Sequence, residues 1–263
     1  MPVPPDQIAA LQKLLQVVDT LRSPGGCPWD ARQTVETLAP HLVEEAHELA
    51  DAVARGDMPG ACGELGDLLM GVLMTARVAG DGRGFDTRDV AEGITNKLIR
   101  RHPHVYGDVA VDGVGAVLQN WEAIKKQEKE ERGEADTSAL SGVPRSLPAL
   151  LRAHRVSEKA AAAGFDWPDL HGPQHKVEEE WGEFRRAAAG GDRAAAAREL
   201  GDLLFAIVNM ARKLDLEPEL ALRGTVERFG ARFRYVERNL GKPLREARLP
   251  ELLELWQRAK DAE

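Results

Sequence analysis

The 263-residue chain carries a formal net charge of −8 and is 43% hydrophobic but only 5% aromatic. That charge excludes a general nucleic-acid binder, whose target phosphates call for a basic face, yet it leaves room for a nucleotide ligand, because a bound cation reverses the local field. The length sets a prior of about two domains, and abundant Ala and Leu with almost no Val, Ile or Thr runs predict an all-α fold.

The chain opens Met1-Pro2-Val3-Pro4-Pro5-Asp6, without the basic and apolar regions of a secretory leader. No apolar run approaches the ~20 residues of a membrane span, so a cytoplasmic protein without membrane partners is expected. Helical periodicity then predicts helices at about 6–22, 36–55, 58–80, 87–101 and 116–132, followed by about 149–163, 173–189, 192–214, 217–239 and 250–262. Cys27 and Cys62 fit neither a metal spacing nor a disulfide framework and are read as reduced thiols. Arg55-Gly56-Asp57 and Gly190-Gly191-Asp192 are matching turns, each with an Asp able to cap the next helix. Asp86 or Thr87 caps the fourth helix. A charge run from Glu128 to Arg132, then Gly, Ser and Pro, reads as a helix end and a linker over about 132–148. The boundary is placed near residue 142, giving domains 1–141 and 142–263, each with about five helices and room for a four-helix core.

One acidic pattern occurs twice. Glu45 and Glu48 precede Glu64 and Asp67; Glu180 and Glu183 precede Glu199 and Asp202. The differences 180−45, 183−48, 199−64 and 202−67 all equal 135. Residues three apart share a helix face, and a short turn joins the two helices of each pair, so the acidic faces meet. Four facing carboxylates repel unless a cation neutralises them. Oxygen-only ligands suit Mg²⁺, with Mn²⁺ as the alternative, and leave coordination sites for water and phosphates. Two solvated acidic helix faces are the ordinary meaning of such sequence. Position argues against that here, because the acids abut apolar runs such as Leu203 to Val208, and Asp202 shares a face with Asn209, which turns polar groups toward an apolar interior. A di-iron bundle would need repeated Glu-x-x-His pairs. Glu44 and His47 offer one, but Gly182 stands at the second position.

The same offset links Trp121 with Trp256 and Lys125 with Lys260, and sets Lys97 against Arg232. Trp29 corresponds to Trp167 after a three-residue length difference. Arg101 follows Lys97 by one turn and Arg228 precedes Arg232 by one turn, so each pair shares a face. Tryptophans stack on bases and cations meet phosphates. Beside an acidic metal cage these groups supply what a triphosphate requires.

Glu-Glu-x-x-Glu followed by Glu-x-x-Asp on paired helices resembles the all-α nucleoside triphosphate pyrophosphohydrolases. The tandem form, with Cys27-Pro28-Trp29-Asp30, Gly63-Glu64-Leu65-Gly66-Asp67-Leu68-Leu69 and Arg101-His102-Pro103-His104-Val105, resembles the MazG family across all but the linker. The resemblance implies two tandem all-α domains and a homodimer. It also implies Mg²⁺-dependent conversion of a nucleoside triphosphate to the monophosphate and pyrophosphate. It implies metal ligands at Glu180, Glu183, Glu199 and Asp202, and substrate contacts at Lys176, Asn209, Arg228, Arg232, Trp256 and Lys260. The first half keeps its acids Glu45, Glu48, Glu64 and Asp67. It has His41, Met74 and Gly93 where the second half has Lys176, Asn209 and Arg228, and its second-site candidates are Trp29, Lys97, Arg101, Trp121 and Lys125. A family lysine four residues before the third acid is Ala195 here, with Arg193 or Arg198 available to replace it.

The second half is therefore expected to be the main catalyst. Glu179 or Glu180 orients or deprotonates a water, Arg228, Arg232 and Lys260 stabilise the leaving pyrophosphate, and Trp167 or Trp256 packs on the base. Stacking discriminates bases poorly, so broad nucleotide specificity in pool cleaning or regulation is expected. The alternatives are a nucleotide-sensing or dimer-scaffold protein with little turnover, and a narrower dUTP- or phosphoribosyl-ATP-type pyrophosphohydrolase.

Overall fold

A computed structural model describes residues 3–82, 84–131, 133 and 138–262. Every regular element among them is helical, and none is long and apolar enough to cross a membrane. The chain divides into two compact units, Met1–Glu128 and Lys129–Glu263. The division falls ahead of the boundary expected near residue 142; residues 132 and 134–137 of the expected linker lie outside the described residues.

The first unit contains α1 (Pro5–Arg22), α2 (Val35–Ala54), α3 (Met58–Asp81), α4 (Thr87–Arg101), a one-turn α5 (Pro103–Tyr106) and most of α6 (Gly113–Glu131). The second contains α7 (Ala149–Ala162), α8 (His171–Ala189), α9 (Arg193–Lys213), α10 (Pro218–Asn239) and α11 (Leu249–Asp261). All ten expected helices are present. The short α5 was not expected. It exists because Pro103 bars its predecessor from helical geometry: His102 takes φ −124° and ψ 57°, ends α4, and the chain restarts for one turn.

The local signals behave as their chemistry requires. Asp57 accepts from the Gly60 N–H at the start of α3, and Asp192 accepts from the Ala194 and Ala195 N–H groups at the start of α9. Asp86, not Thr87, caps α4, in a reciprocal box with Asp89. Gly56 and Gly191 take φ +71° and +76° at the two matching turns, a backbone region that side chains with a Cβ avoid. Both turns fold their helices back as antiparallel hairpins, α2 on α3 and α8 on α9. The preceding helix then leans on the longer arm, α1 on α3 and α7 on α9, while α10 packs on α11 and α7.

In the first unit Val18, Leu38, Met74 and Val78 form a buried cluster, flanked by Leu14, Leu21 and Leu73. In the second, Leu203, Ala206 and Val208 of α9 are buried, as are Val236 of α10 and Ala259 of α11. The expectation that Asp67 and Asp202 turn into an apolar interior fails, because both are exposed. The apolar residues around them are exposed as well: Leu65 and Leu69 on α3, and Leu200, Leu204, Phe205 and Ile207 on α9. That face of each hairpin is not packed within its own unit.

Met74 is 1% exposed. Truncating such a side chain removes transfer free energy and leaves a cavity. Met74→Ala is expected to cost about 2–4 kcal/mol, measured as an earlier unfolding transition of the first unit in urea.

Candidate active site

Each hairpin brings three carboxylates together. Glu180, Glu199 and Asp202 each offer an oxygen within 4.8 Å of the others, and Glu45, Glu48 and Glu64 do the same. The frame is shared but one corner differs. The first unit uses Glu48 and leaves Asp67 outside the triad; the second uses Asp202 and leaves Glu183 outside. Glu183 is taken by Arg186, 3.3 Å away. Oxygen-only triads of this kind match the donor set of a hard divalent cation.

The triads differ in their countercharge. Glu180 is 5% exposed, and a carboxylate so placed needs a partner. Lys176, one turn earlier on α8, puts Nζ 2.6 Å from Glu180 Oε1 and 3.1 Å from Glu179 Oε1. Those two bonds push the ammonium's proton affinity well above its ordinary value. The matching residue of the first unit, His41, lies 3.7 Å from Glu44 and edge-on to Trp29. Glu45, the partner of Glu180 in the repeat, has its pKa raised, first by burial and then by the charges of Asp67, Glu48, Glu64 and Glu44.

A second group of expected residues lies on α10 and α11. The Arg232 guanidinium sits 5.8 Å from the Trp256 ring centre, within cation–π range. Phe229 packs on the same indole at 5.0 Å and on Phe233 at 6.1 Å, an aromatic contribution the sequence reading did not select. Arg228 and Lys260 are exposed on these helices, with Arg228 donating to Thr225 Oγ1 at 2.9 Å.

In the first unit Arg101 lies 5.9 Å from the Trp121 ring. The repeat has thus kept an arginine-on-tryptophan contact while supplying the arginine from positions one turn apart. Arg101 is also committed elsewhere. Its Nη2 lies 2.5 Å from Oε2 of Glu128, which is 3% exposed, and Arg100 lies 2.6 Å from Oε1. Lys97 is exposed and Lys125 half-buried. Trp29 is 59% exposed.

Trp167 precedes α8 and is held from three sides. Its backbone N–H donates to Asp166 Oδ1 at 2.8 Å, its backbone carbonyl accepts from Lys213 at 2.5 Å, and its ring lies so close to Gly172 that a Cβ there would collide with the indole. Asp166 also accepts from Arg212 and from Lys213. Burial alone would raise the Asp166 pKa, but these bonds outweigh it and hold the carboxyl at about 2 against an ordinary 3.8. This network escaped the sequence reading. Its one legible signal was Asp166 inside the Gly164-Phe165-Asp166-Trp167 string.

Each unit carries a hairpin with a carboxylate triad and an arginine-on-tryptophan contact, and only the second adds a buried glutamate countered by lysine; this is the pattern in which the chain resembles the all-α nucleoside triphosphate pyrophosphohydrolases. The comparisons agree. Residues 33–106 match the MazG nucleotide pyrophosphohydrolase domain, and residues 154–228 match the phosphoribosyl-ATP pyrophosphohydrolase family. The chain is 42% identical over 259 residues to a nucleoside triphosphate pyrophosphohydrolase of Escherichia coli K12, covering 96% of this chain and 98% of that one. It is 40% identical over 252 residues to the nucleoside triphosphate pyrophosphohydrolase/pyrophosphatase MazG of Thermotoga maritima, covering 95% of each. It is 41% identical over 251 residues to the Bacillus subtilis protein YabN, covering 94% of this chain and 51% of that one. The chain belongs to the MazG family of nucleoside triphosphate pyrophosphohydrolases.

Two outcomes follow from the Trp167 anchorage. Gly172→Ala is expected to displace the indole, seen as a changed tryptophan emission spectrum at native pH. Asp166 has a depressed folded-state pKa, so its contribution is full above pH 3.8 and is lost as pH falls through about 2. Asp166→Asn should cost about 1–2 kcal/mol at pH 7, after discounting for partial exposure. Urea midpoints taken from pH 7 down to 2 should show the gap from wild type closing below pH 4.

Proposed function

We propose that the protein hydrolyses nucleoside triphosphates to the monophosphate and pyrophosphate at the α8–α9 site, with Mg²⁺ as cofactor and Mn²⁺ able to replace it. The observation that carries this reading is the lysine-countered triad of Glu180, Glu199 and Asp202 in a chain matched end to end by relatives bearing that name. Glu183 belongs to the ligand set by its place in the repeat. When bound, Mg²⁺ would polarise the phosphate chain and lower the pKa of a bound water.

The chain's own residues do the rest. Lys176 sets a positive charge against the buried Glu180 and reaches Glu179 as well, and Glu179 orients or deprotonates the attacking water. Arg228, Arg232 and Lys260 meet the charge that develops on the departing pyrophosphate. Trp256, backed by Phe229, and Trp167 offer stacking faces to the base. Stacking reads a π-face rather than a hydrogen-bond pattern, which supports a broad base range and a role in cleaning or regulating the nucleotide pool of the cytoplasm.

The first unit keeps all four acids, three of them in its triad, but lacks counterparts of Lys176, Asn209 and Arg228, which supports a sensing or scaffolding role there. The match of residues 154–228 to phosphoribosyl-ATP pyrophosphohydrolase favours one narrower reading, in which a phosphoribosyl-ATP is the substrate. The unpacked apolar faces of α3 and α9 support a homodimer.

Pyrophosphate release from the eight common NTPs and dNTPs, and from phosphoribosyl-ATP, with Mg²⁺ tests the assignment. Glu199→Ala is expected to lose about 10²-fold or more, since it removes a ligand from a site worth several kcal/mol to the transition state. Glu64→Ala should stay within about threefold. Equal activity in wild type and Glu199→Ala would move the active site elsewhere, and release from phosphoribosyl-ATP alone would select the narrower reading. Light scattering should give about twice the 28.8 kDa chain mass; a monomer would remove the dimer.

A further inference from the structure

Asn209 lies on α9, two turns beyond Asp202, and is half-buried. Its side-chain oxygen accepts two bonds from one guanidinium: Arg212 Nε at 3.2 Å and Nη2 at 2.8 Å. The other edge of the same guanidinium donates to Asp166, through Nη1 at 3.2 Å to Oδ2 and through Nη2 to Oδ1. The Arg212 side chain is only 13% exposed, so water competes little for these bonds.

The geometry points to Arg212 as a positioning residue that fixes which end of the Asn209 carboxamide faces the nucleotide. An amide carries one acceptor end and one donor end. With Oδ1 bound to two guanidinium N–H groups, the NH₂ end is the one turned away from Arg212. A flip would set NH₂ against a fork that contains only donors, which a nearly dry site penalises. Asn209 therefore presents N–H donors, and the nucleotide atom it reads is a hydrogen-bond acceptor. Asp166 supports this from behind, and because Lys213 bridges Asp166 and the Trp167 carbonyl, one carboxylate orients both the amide and the indole-bearing loop.

The first unit provides an internal comparison. Subtracting 135 from 212 gives Arg77, and from 209 gives Met74. Met74 is core, and Arg77 is turned to Asp19 at 2.7 Å and to Asp81. The duplicated arginine serves an amide only in the half that has one. The inference rests on Asn209 being a substrate contact, as the family resemblance implies.

Steady-state kinetics of pyrophosphate release, with melting temperatures, test it in Asn209→Ala, Arg212→Lys, Arg212→Met and the Asn209→Ala/Arg212→Lys double variant. Lysine keeps a charge for Asp166 but cannot bridge it to the amide in one plane. Arg212→Lys is expected to raise KM about tenfold, the worth of one charge-assisted hydrogen bond, with kcat within about threefold and melting near wild type. Asn209→Ala should raise KM similarly, and the double variant should be no worse than Asn209→Ala. If Arg212→Met does not fold, the lysine variant carries the test. Wild-type KM in Arg212→Lys, or a double variant whose KM is the product of the two single effects, would overturn the positioning role alone. Wild-type KM in Asn209→Ala would overturn the contact reading and the positioning role with it.

Discussion

Like charges held within 4.8 Å of one another are the constraint from which the rest of this molecule follows. Carboxylates so close repel; a rigid backbone prevents their retreat, and a positive charge at hand relieves the repulsion. The hairpins provide the first condition. A glycine in the left-handed region and an aspartate cap set each turn, and the two arms pack along their length. The second condition separates the halves. Glu180 has Lys176 at 2.6 Å, whereas its counterpart Glu45 has like charges around it and a raised pKa.

That difference spreads outward through packing. In the second half a polar amide on α9 needs Arg212, Arg212 needs Asp166, and Asp166 fixes the segment that carries Trp167. In the first half the position of the amide is Met74, which joins Val18 and Leu38 in the core, and Arg77 is left to pair with Asp19 and Asp81. Arg101 is likewise drawn into a buried bridge with Glu128. The groups that could face a ligand in one half are thus structural in the other.

Much of this was legible in the chain itself. Helix limits followed from periodicity and from Asp57, Asp86 and Asp192, because capping is a local interaction between residues two or three apart. That acids from the two arms face one another was legible, because spacing of three on adjacent arms fixes their face, though four were expected at each site and three come together. What escaped was nonlocal. Nothing near Arg212 announces Asp166, 46 positions earlier, and nothing near Arg101 announces Glu128, 27 positions later. Which carboxylate completes each triad was equally hidden, because it depends on side-chain direction: Arg186 draws Glu183 aside. The exposure of Asp202 was misread, since an apolar neighbourhood in sequence means burial only if something covers that face.

The exchange between Met74 and Asn209 has an evolutionary reading. Two copies of one hairpin sit in a single polypeptide, and the position that holds an amide in one holds a core-filling side chain in the other. Natural proteins commonly give up some stability at sites kept for activity. That concession is usually inferred by comparing separate molecules. Here the two alternatives stand on the same chain, so the half with methionine serves as the reference for the half with the amide.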